Sequence, residues 1–123
     1  MSAAEVRELL RQAALVSARV STALQDSGLT VDRWRVLAHV AGCAERPPAM
    51  SEVAEELGLS PATTTRTVDA LVEIGAVFRE VAVGDRRRVV LRPSRPGIAL
   101  LASVDPLVAV AAADGPVAAG RGA

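Results

Sequence analysis

Lysine and tyrosine are missing from this 123-residue chain, histidine and cysteine occur once each, and Trp34 and Phe78 are its only large aromatic side chains. A lone cysteine, Cys43, excludes an internal disulfide and points to an intracellular protein. One His, one Cys and no gathered carboxylates supply neither a nucleophile with its base nor a metal set, so the chain does not read as an enzyme and calls for no cofactor. His39 and Cys43 do stand four apart, the spacing of a helical metal pair, but nothing of their kind remains to complete a site. Cys43 therefore reads as a buried structural thiol and Trp34 as a core residue. With so few rings, packing must come from Leu, Val and Ala. Half the residues are apolar, enough for one modest core, so the expectation is a single, mainly helical domain over 1–123.

The N-terminus lacks the apolar run of a signal peptide, because Glu5, Arg7, Glu8 and Arg11 interrupt it. No uninterrupted apolar stretch is expected to cross a bilayer, even in the Ala/Val-rich C-terminal region. The chain is expected to be soluble and cytoplasmic, with no membrane partner.

Formal net charge is zero, which argues at first against a polyanion partner. The distribution argues the other way. Between Ser60 and Gly97 stand seven arginines (66, 79, 86, 87, 88, 92, 95) against four acids (69, 73, 80, 85), a local excess of three positive charges. A local basic surface is enough to steer a polyanion over a Debye length of roughly 8 Å.

Punctuation divides the chain clearly. From Ala3 to about Gln25, Val6, Leu9, Leu10, Ala13, Val16, Val20 and Leu24 recur at helical spacing until Gly28 stops them. Thr30 is the expected cap of a second helix through Trp34, Leu37 and Val40 to about Gly42. Arg46-Pro47-Pro48 is a rigid connector. A third, short helix is expected from Ser51 to Leu57, with Gly58 as the turn before a fourth capped by Ser60 and ending near Ile74. Helix, tight glycine turn, helix is the helix-turn-helix pattern. The period then becomes that of short strands, Val77 to Val83 and Arg88 to Arg92, around a Gly84-Asp85 turn: a hairpin, or wing. Ser94 is expected to cap a fifth helix with Ile98, Leu101 and Val104 on one side, kinked or divided at Pro106 and ended by Gly115-Pro116. Residues 116–123 read as a loose tail.

The helix from Ser60 opens on small hydroxyl side chains and is followed within a short hairpin by Asp85-Arg86-Arg87-Arg88. A first helical turn of this kind can enter a major groove, where Thr hydroxyls meet base edges. An arginine cluster beyond it suits phosphates or a minor groove. Four threonines are poor helix formers, so a purely structural helix gains nothing from them. Thr64, Thr67, Val68 and Leu71 fall on the inward face, leaving Thr63 and Thr65 as the better readers.

The order of these motifs resembles the MarR (multiple antibiotic resistance regulator) family of winged helix-turn-helix transcription factors. The resemblance is carried by Leu29-Thr30 with Trp34-Arg35-Val36-Leu37, then by Ser51-Glu52-Val53-Ala54-Glu55-Glu56-Leu57-Gly58-Leu59-Ser60. Thr63, Thr65-Arg66, Val68-Asp69, Leu71 and Gly75 follow, then the wing signature Asp85-Arg86-Arg87, and finally Pro96-Gly97 before Ala99-Leu100-Leu101. Joint spacing makes the match specific, since each fragment alone is weak.

The resemblance implies a homodimeric repressor on a pseudo-palindromic operator, with helix 60–74 of each subunit in successive major grooves and wing 77–92 in the flanking minor groove. It implies DNA contacts from Pro61, Ala62, Thr63, Thr65 and Arg66 and from Arg86, Arg87 and Arg88, with Asp85 pinning the wing. It further implies release by a small aromatic effector, for which Trp34, His39, Arg19 and Arg35 are the candidate lining residues. Helix 1–27 and helix 94–115 are the dimerisation candidates flanking the winged segment 29–93.

Several positions depart from the family pattern. Val72 and Ile74 replace polar residues, Pro93 replaces a Leu and is expected to end the second wing strand early, and Ala49 replaces a hydroxyl cap. Family members continue past the fifth helix into another long one. That shortening and the zero net charge favour a second reading: a winged-helix interaction or ligand-binding module that has lost operator binding.

Overall fold

The computed structural model describes residues 1–113; the expected helix end at Gly115-Pro116 and the tail 116–123 lie outside the described residues. Among the described residues the elements run α1 (Ala3–Ala23), α2 (Val31–Gly42), α3 (Met50–Leu57), α4 (Pro61–Glu73), β1 (Val77–Ala82), β2 (Asp85–Pro93) and α5 (Arg95–Ala113). The class is mainly α with one antiparallel hairpin. Two compact units divide the described residues, one formed by residues 1–31 with 103–113, the other by residues 32–102.

In the first unit, α1 starts on a reciprocal cap: Ser2 Oγ accepts from the Glu5 N–H at 3.1 Å, and the Ser2 N–H donates to Glu5 Oε1 at 3.4 Å. Val20 and Leu24 are buried, whereas Val6, Leu9, Leu10 and Leu15 along the same helix are exposed. On the part of α5 in this unit Val104 and Val108 are buried, with Leu107 and Val110 exposed; Leu101, in the second unit, is buried. Ile98, also in the second unit and expected on the same side as Leu101 and Val104, is exposed. The helix runs on through Pro106 rather than dividing there. By length and composition alone α5 is long and apolar enough to cross a membrane, although Asp105 interrupts its apolar run.

The second unit shows why its residues form short helices. Each buries one side: Val36, Leu37 and Val40 on α2 and Thr64, Thr67, Val68 and Leu71 on α4 at three- and four-residue spacing, and the adjacent Val53 and Ala54 on the short α3. Burying a Val or Leu side chain fully is worth about 1.5–3 kcal/mol, so these faces outweigh the modest helix propensities of Val and Thr. Two left-handed glycines end helices in the same way. After α3, Gly58 (φ 66°) lets the Leu59 N–H reach the Ala54 carbonyl at 2.9 Å; after α4, Gly75 (φ 77°) lets the Ala76 N–H reach Leu71 at 2.9 Å.

Three sequence expectations change here. First, α3 begins at Met50, not Ser51, with Ala49 as its cap residue. Ala49 has no side-chain acceptor, but Glu52 Oε1 accepts from the Ala49 N–H at 2.7 Å, so the carboxylate half of a capping box starts the helix without a hydroxyl. Second, β2 spans Asp85–Pro93, longer than Arg88 to Arg92, and the turn is Val83-Gly84. Pairing runs regularly from Val77↔Pro93 to Val81↔Val89 and then jumps to Ala82↔Asp85, so Arg86, Arg87 and Arg88 have no opposite residue on β1. They form a bulge, a device that re-aims side chains. Third, Pro93 does not shorten the strand. The Leu91 N–H points away from β1, donating to the Pro48 carbonyl at 2.8 Å. Two residues on, the Pro93 nitrogen faces the same way, where no ladder bond is lost.

Candidate nucleic-acid interface

Ser60 caps α4 by accepting the Thr63 N–H at 3.1 Å, and Pro61 occupies the first helical position, where its missing N–H costs nothing. Three threonines then donate their hydroxyl protons to the carbonyl four residues back: Thr64 to Ser60 at 2.9 Å, Thr65 to Pro61 at 3.0 Å and Thr67 to Thr63 at 2.7 Å. That bond lets Thr64 and Thr67 be buried without an orphaned hydroxyl. On the other side, Pro61, Ala62, Thr65 and Arg66 are exposed and Thr63 is half-buried. Thr63 Oγ1 accepts from Ser60 Oγ at 3.0 Å and from Arg66 Nη2 at 3.3 Å, so Arg66 is held over the first turn. No acid occupies that turn, and the helix N-terminus adds its own partial positive charge.

In the hairpin, Asp85 Oδ1 accepts from the backbone N–H of Arg87 at 3.0 Å and so holds the start of the bulge. Arg86 and Arg87 are exposed, and among the described residues neither guanidinium has an ion-pair or hydrogen-bond partner. Arg88 differs: its Nη2 pairs with Glu52 Oε1 of α3. On β1, Arg79 pairs with Asp69 of α4 at 2.5 Å. Arg92 Nε lies 2.5 Å from Glu80 Oε2, close in charge but out of line for a hydrogen bond. The sequence cluster of three arginines is therefore two free cations and one committed to α3. Sequence reasoning missed Glu52 and Asp69, whose partners lie 36 and 10 residues away. The signal for Glu52 was its place three residues after a helix cap, masked because that cap residue is an alanine.

Glu52 is held below the usual carboxyl value of 4.5, first by the Ala49 N–H and then by the Arg88 guanidinium. Cys43 is half-exposed, not buried, because it follows Gly42 at the end of α2; its Sγ lies 3.8 Å from His39 Nε2. Among the described residues no three His, Cys, Asp or Glu side chains gather as metal ligands. Trp34 is half-buried. Arg35 donates to the Leu57 carbonyl at 2.9 Å, closing the end of α3. Arg19 Nη1 is buried without a hydrogen-bond partner. Val72 is half-buried, while Ile74, the C-cap of α4, is exposed.

Comparison with known proteins adds the following. The family model described as MarR family matches residues 27–88. The chain is similar to CouR from Rhodococcus jostii RHA1, solved bound to p-coumaroyl-CoA, at 30% identity and a TM-score of 0.76, covering 84% of this chain and 71% of that one. It resembles a MarR-family transcriptional regulator from Rhodococcus sp. RHA1 at 26% identity and a TM-score of 0.77, covering 90% and 79%. A MepR–DNA complex from S. aureus shares the fold at 14% identity and a TM-score of 0.75, covering 90% and 80%. Among curated proteins, none matches the chain.

Proposed function

The chain belongs to the MarR family of winged helix-turn-helix transcriptional regulators, and from that premise we propose that it represses transcription by binding a pseudo-palindromic operator as a homodimer. Pro61, Ala62, Thr63, Thr65 and Arg66 of α4 enter the major groove, and Arg86 and Arg87 of the wing lie along the flanking minor groove. The observation that carries this reading is the division of α4: its buried side is filled by Thr64, Thr67, Val68 and Leu71, while small and hydroxyl-bearing groups remain in solvent on the other. The Thr63 and Thr65 hydroxyls at a helix N-terminus keep lone pairs for donors on base edges, and the Arg86 and Arg87 guanidinium groups, unpartnered among the described residues, suit phosphates. Half-sites then lie about one helical turn, roughly 10 bp, apart.

The homodimer is supported by apolar side chains left in solvent in the single chain, Val6, Leu9 and Leu10 of α1 and Leu107 and Val110 of α5. We further propose release by a small aromatic effector, a reading supported only in its aromatic part by CouR, solved bound to p-coumaroyl-CoA. Such a ligand lowers occupancy of the operator only by its preference for a conformer whose recognition helices are wrongly spaced. We assign the protein to the cytoplasm and give it no enzymatic activity.

Selection from random duplexes and gel shifts on the gene's own upstream region, run alongside light scattering, test the proposal. Sequence-selective binding by a dimer is the expected result. A monomer inert toward every duplex refutes it and promotes the interaction-module reading.

A further inference from the structure

We propose that Arg88 is a positioning residue, not a DNA contact: through Glu52 it moors the bulged wing strand to the start of α3, fixing where Arg86 and Arg87 stand. The inference rests on the DNA-binding reading above for its purpose, but its geometry is independent of it.

Three observations converge on the segment Pro48–Glu52. The Pro48 carbonyl accepts the Leu91 N–H at 2.8 Å, gripping β2 by its backbone. Glu52 Oε1 takes Arg88 Nη2, gripping β2 again three residues earlier. The same oxygen accepts the Ala49 N–H that starts α3, so the carboxylate is already fixed before the arginine reaches it. A pre-ordered acceptor lowers the side-chain entropy lost in making an ion pair, the main reason exposed pairs contribute little.

The bulge explains why such a mooring is needed. Between Ala82↔Asp85 and Val81↔Val89, residues 86 to 88 have no opposite partner on β1. Asp85 ties the entry to the bulge through the Arg87 N–H, and Arg88–Glu52 ties its exit. On the other strand Arg79–Asp69 ties β1 to α4. Each strand is thus fastened to one helix of the helix-turn-helix, and the hairpin guanidinium groups left without a partner among the described residues are those of Arg86 and Arg87. Wing cations held in place beforehand engage phosphate without first ordering the hairpin.

A double-mutant cycle on the full chain decides the matter, using Arg88→Gln, Glu52→Gln and the two together. Gln at position 52 retains the cap on Ala49. Each single change should speed amide exchange in the hairpin 77–92 about fivefold, and the double should be no faster than either. On a selected duplex, Glu52→Gln and Arg88→Gln should each weaken binding about threefold to tenfold at every salt concentration, leaving the salt slope unchanged. Two results overturn the proposal. One is hairpin exchange unaltered in both single variants. The other is a Glu52→Gln protein that binds more tightly while Arg88→Gln flattens the salt slope by about one, which makes Arg88 a phosphate contact held back by Glu52. Should the unaltered protein bind no duplex, the DNA reading fails and the exchange cycle alone still decides the mooring.

Discussion

Replacing Gly97 by alanine should destabilise the protein even though it places a better helix former within the first turn of α5. A Cβ at Gly97 would lie 2.1 Å from the Ala76 carbonyl oxygen and 2.9 Å from its carbon. An unstrained carbon–oxygen approach is about 3.3 Å, so the two backbones must separate by roughly 1 Å. Ala76 is buried and cannot retreat freely. Separation strains two hydrogen bonds that dock α5 onto the end of α4: the Ser94 N–H to Ala76 O at 2.9 Å, and Ser94 Oγ to Gly75 O at 2.5 Å. At about 1 kcal/mol each, with a further 1–2 kcal/mol for displaced packing and a gain of about 1 kcal/mol from helix propensity, the net loss is about 2–3 kcal/mol. For a chain of this size that corresponds to a fall in Tm of roughly 8–15 °C. Thermal unfolding followed by circular dichroism, with urea titration to confirm an unchanged m-value, measures it. Gly42→Ala is the control: that Cβ meets nothing within 4 Å, so the same exchange should be neutral or stabilising by up to about 1 kcal/mol. A Gly97→Ala protein as stable as the original refutes the close approach.

Arg87→Ala should weaken binding on all DNA sequences and reduce the salt slope by about one, read from affinity against log salt; an unchanged slope counts against a wing–phosphate contact. Thr65→Ala should instead relax preference at particular bases, by about 1–3 kcal/mol per good contact, and unaltered selectivity in a repeat selection would mean that α4 is misassigned as the reader. Leu71→Ala, at a fully buried position, should cost about 2–5 kcal/mol by leaving a cavity under α4, measured by urea denaturation. Glu52 is depressed below 4.5 in the folded chain, so its stabilising interactions are complete above that pH and are lost as pH falls through the lower folded-state value. The stability difference between the original and Glu52→Gln proteins should therefore shrink as pH falls from neutrality to below 4.5; a difference that grows on acidification refutes the sign.

Much of the fold follows from features that act within a turn or two of chain. Ser2 and Ser60 cap their helices through neighbours three residues on, and Gly58 and Gly75 take the left-handed turns that end α3 and α4. Helical spacing also separates Thr64, Thr67, Val68 and Leu71 on the inside from Thr65 and Arg66 on the outside. These choices depend on local geometry and on a periodicity of 3.6, which a sequence displays directly.

What tertiary structure alone decided joins segments far apart in the chain. Three consecutive arginines look alike as letters, yet pairing register leaves two in solvent and turns the third toward a carboxylate on α3. Pro93 reads as a strand breaker until the outward direction of the Leu91 N–H shows that its nitrogen faces away from the ladder. Gly97 reads as a weak helix residue until the Ala76 carbonyl is found where a side chain would be. In each case the deciding atom belongs to a residue at least two positions away on a strand or distant on another element. Its position is set by how whole elements pack, which no local pattern encodes.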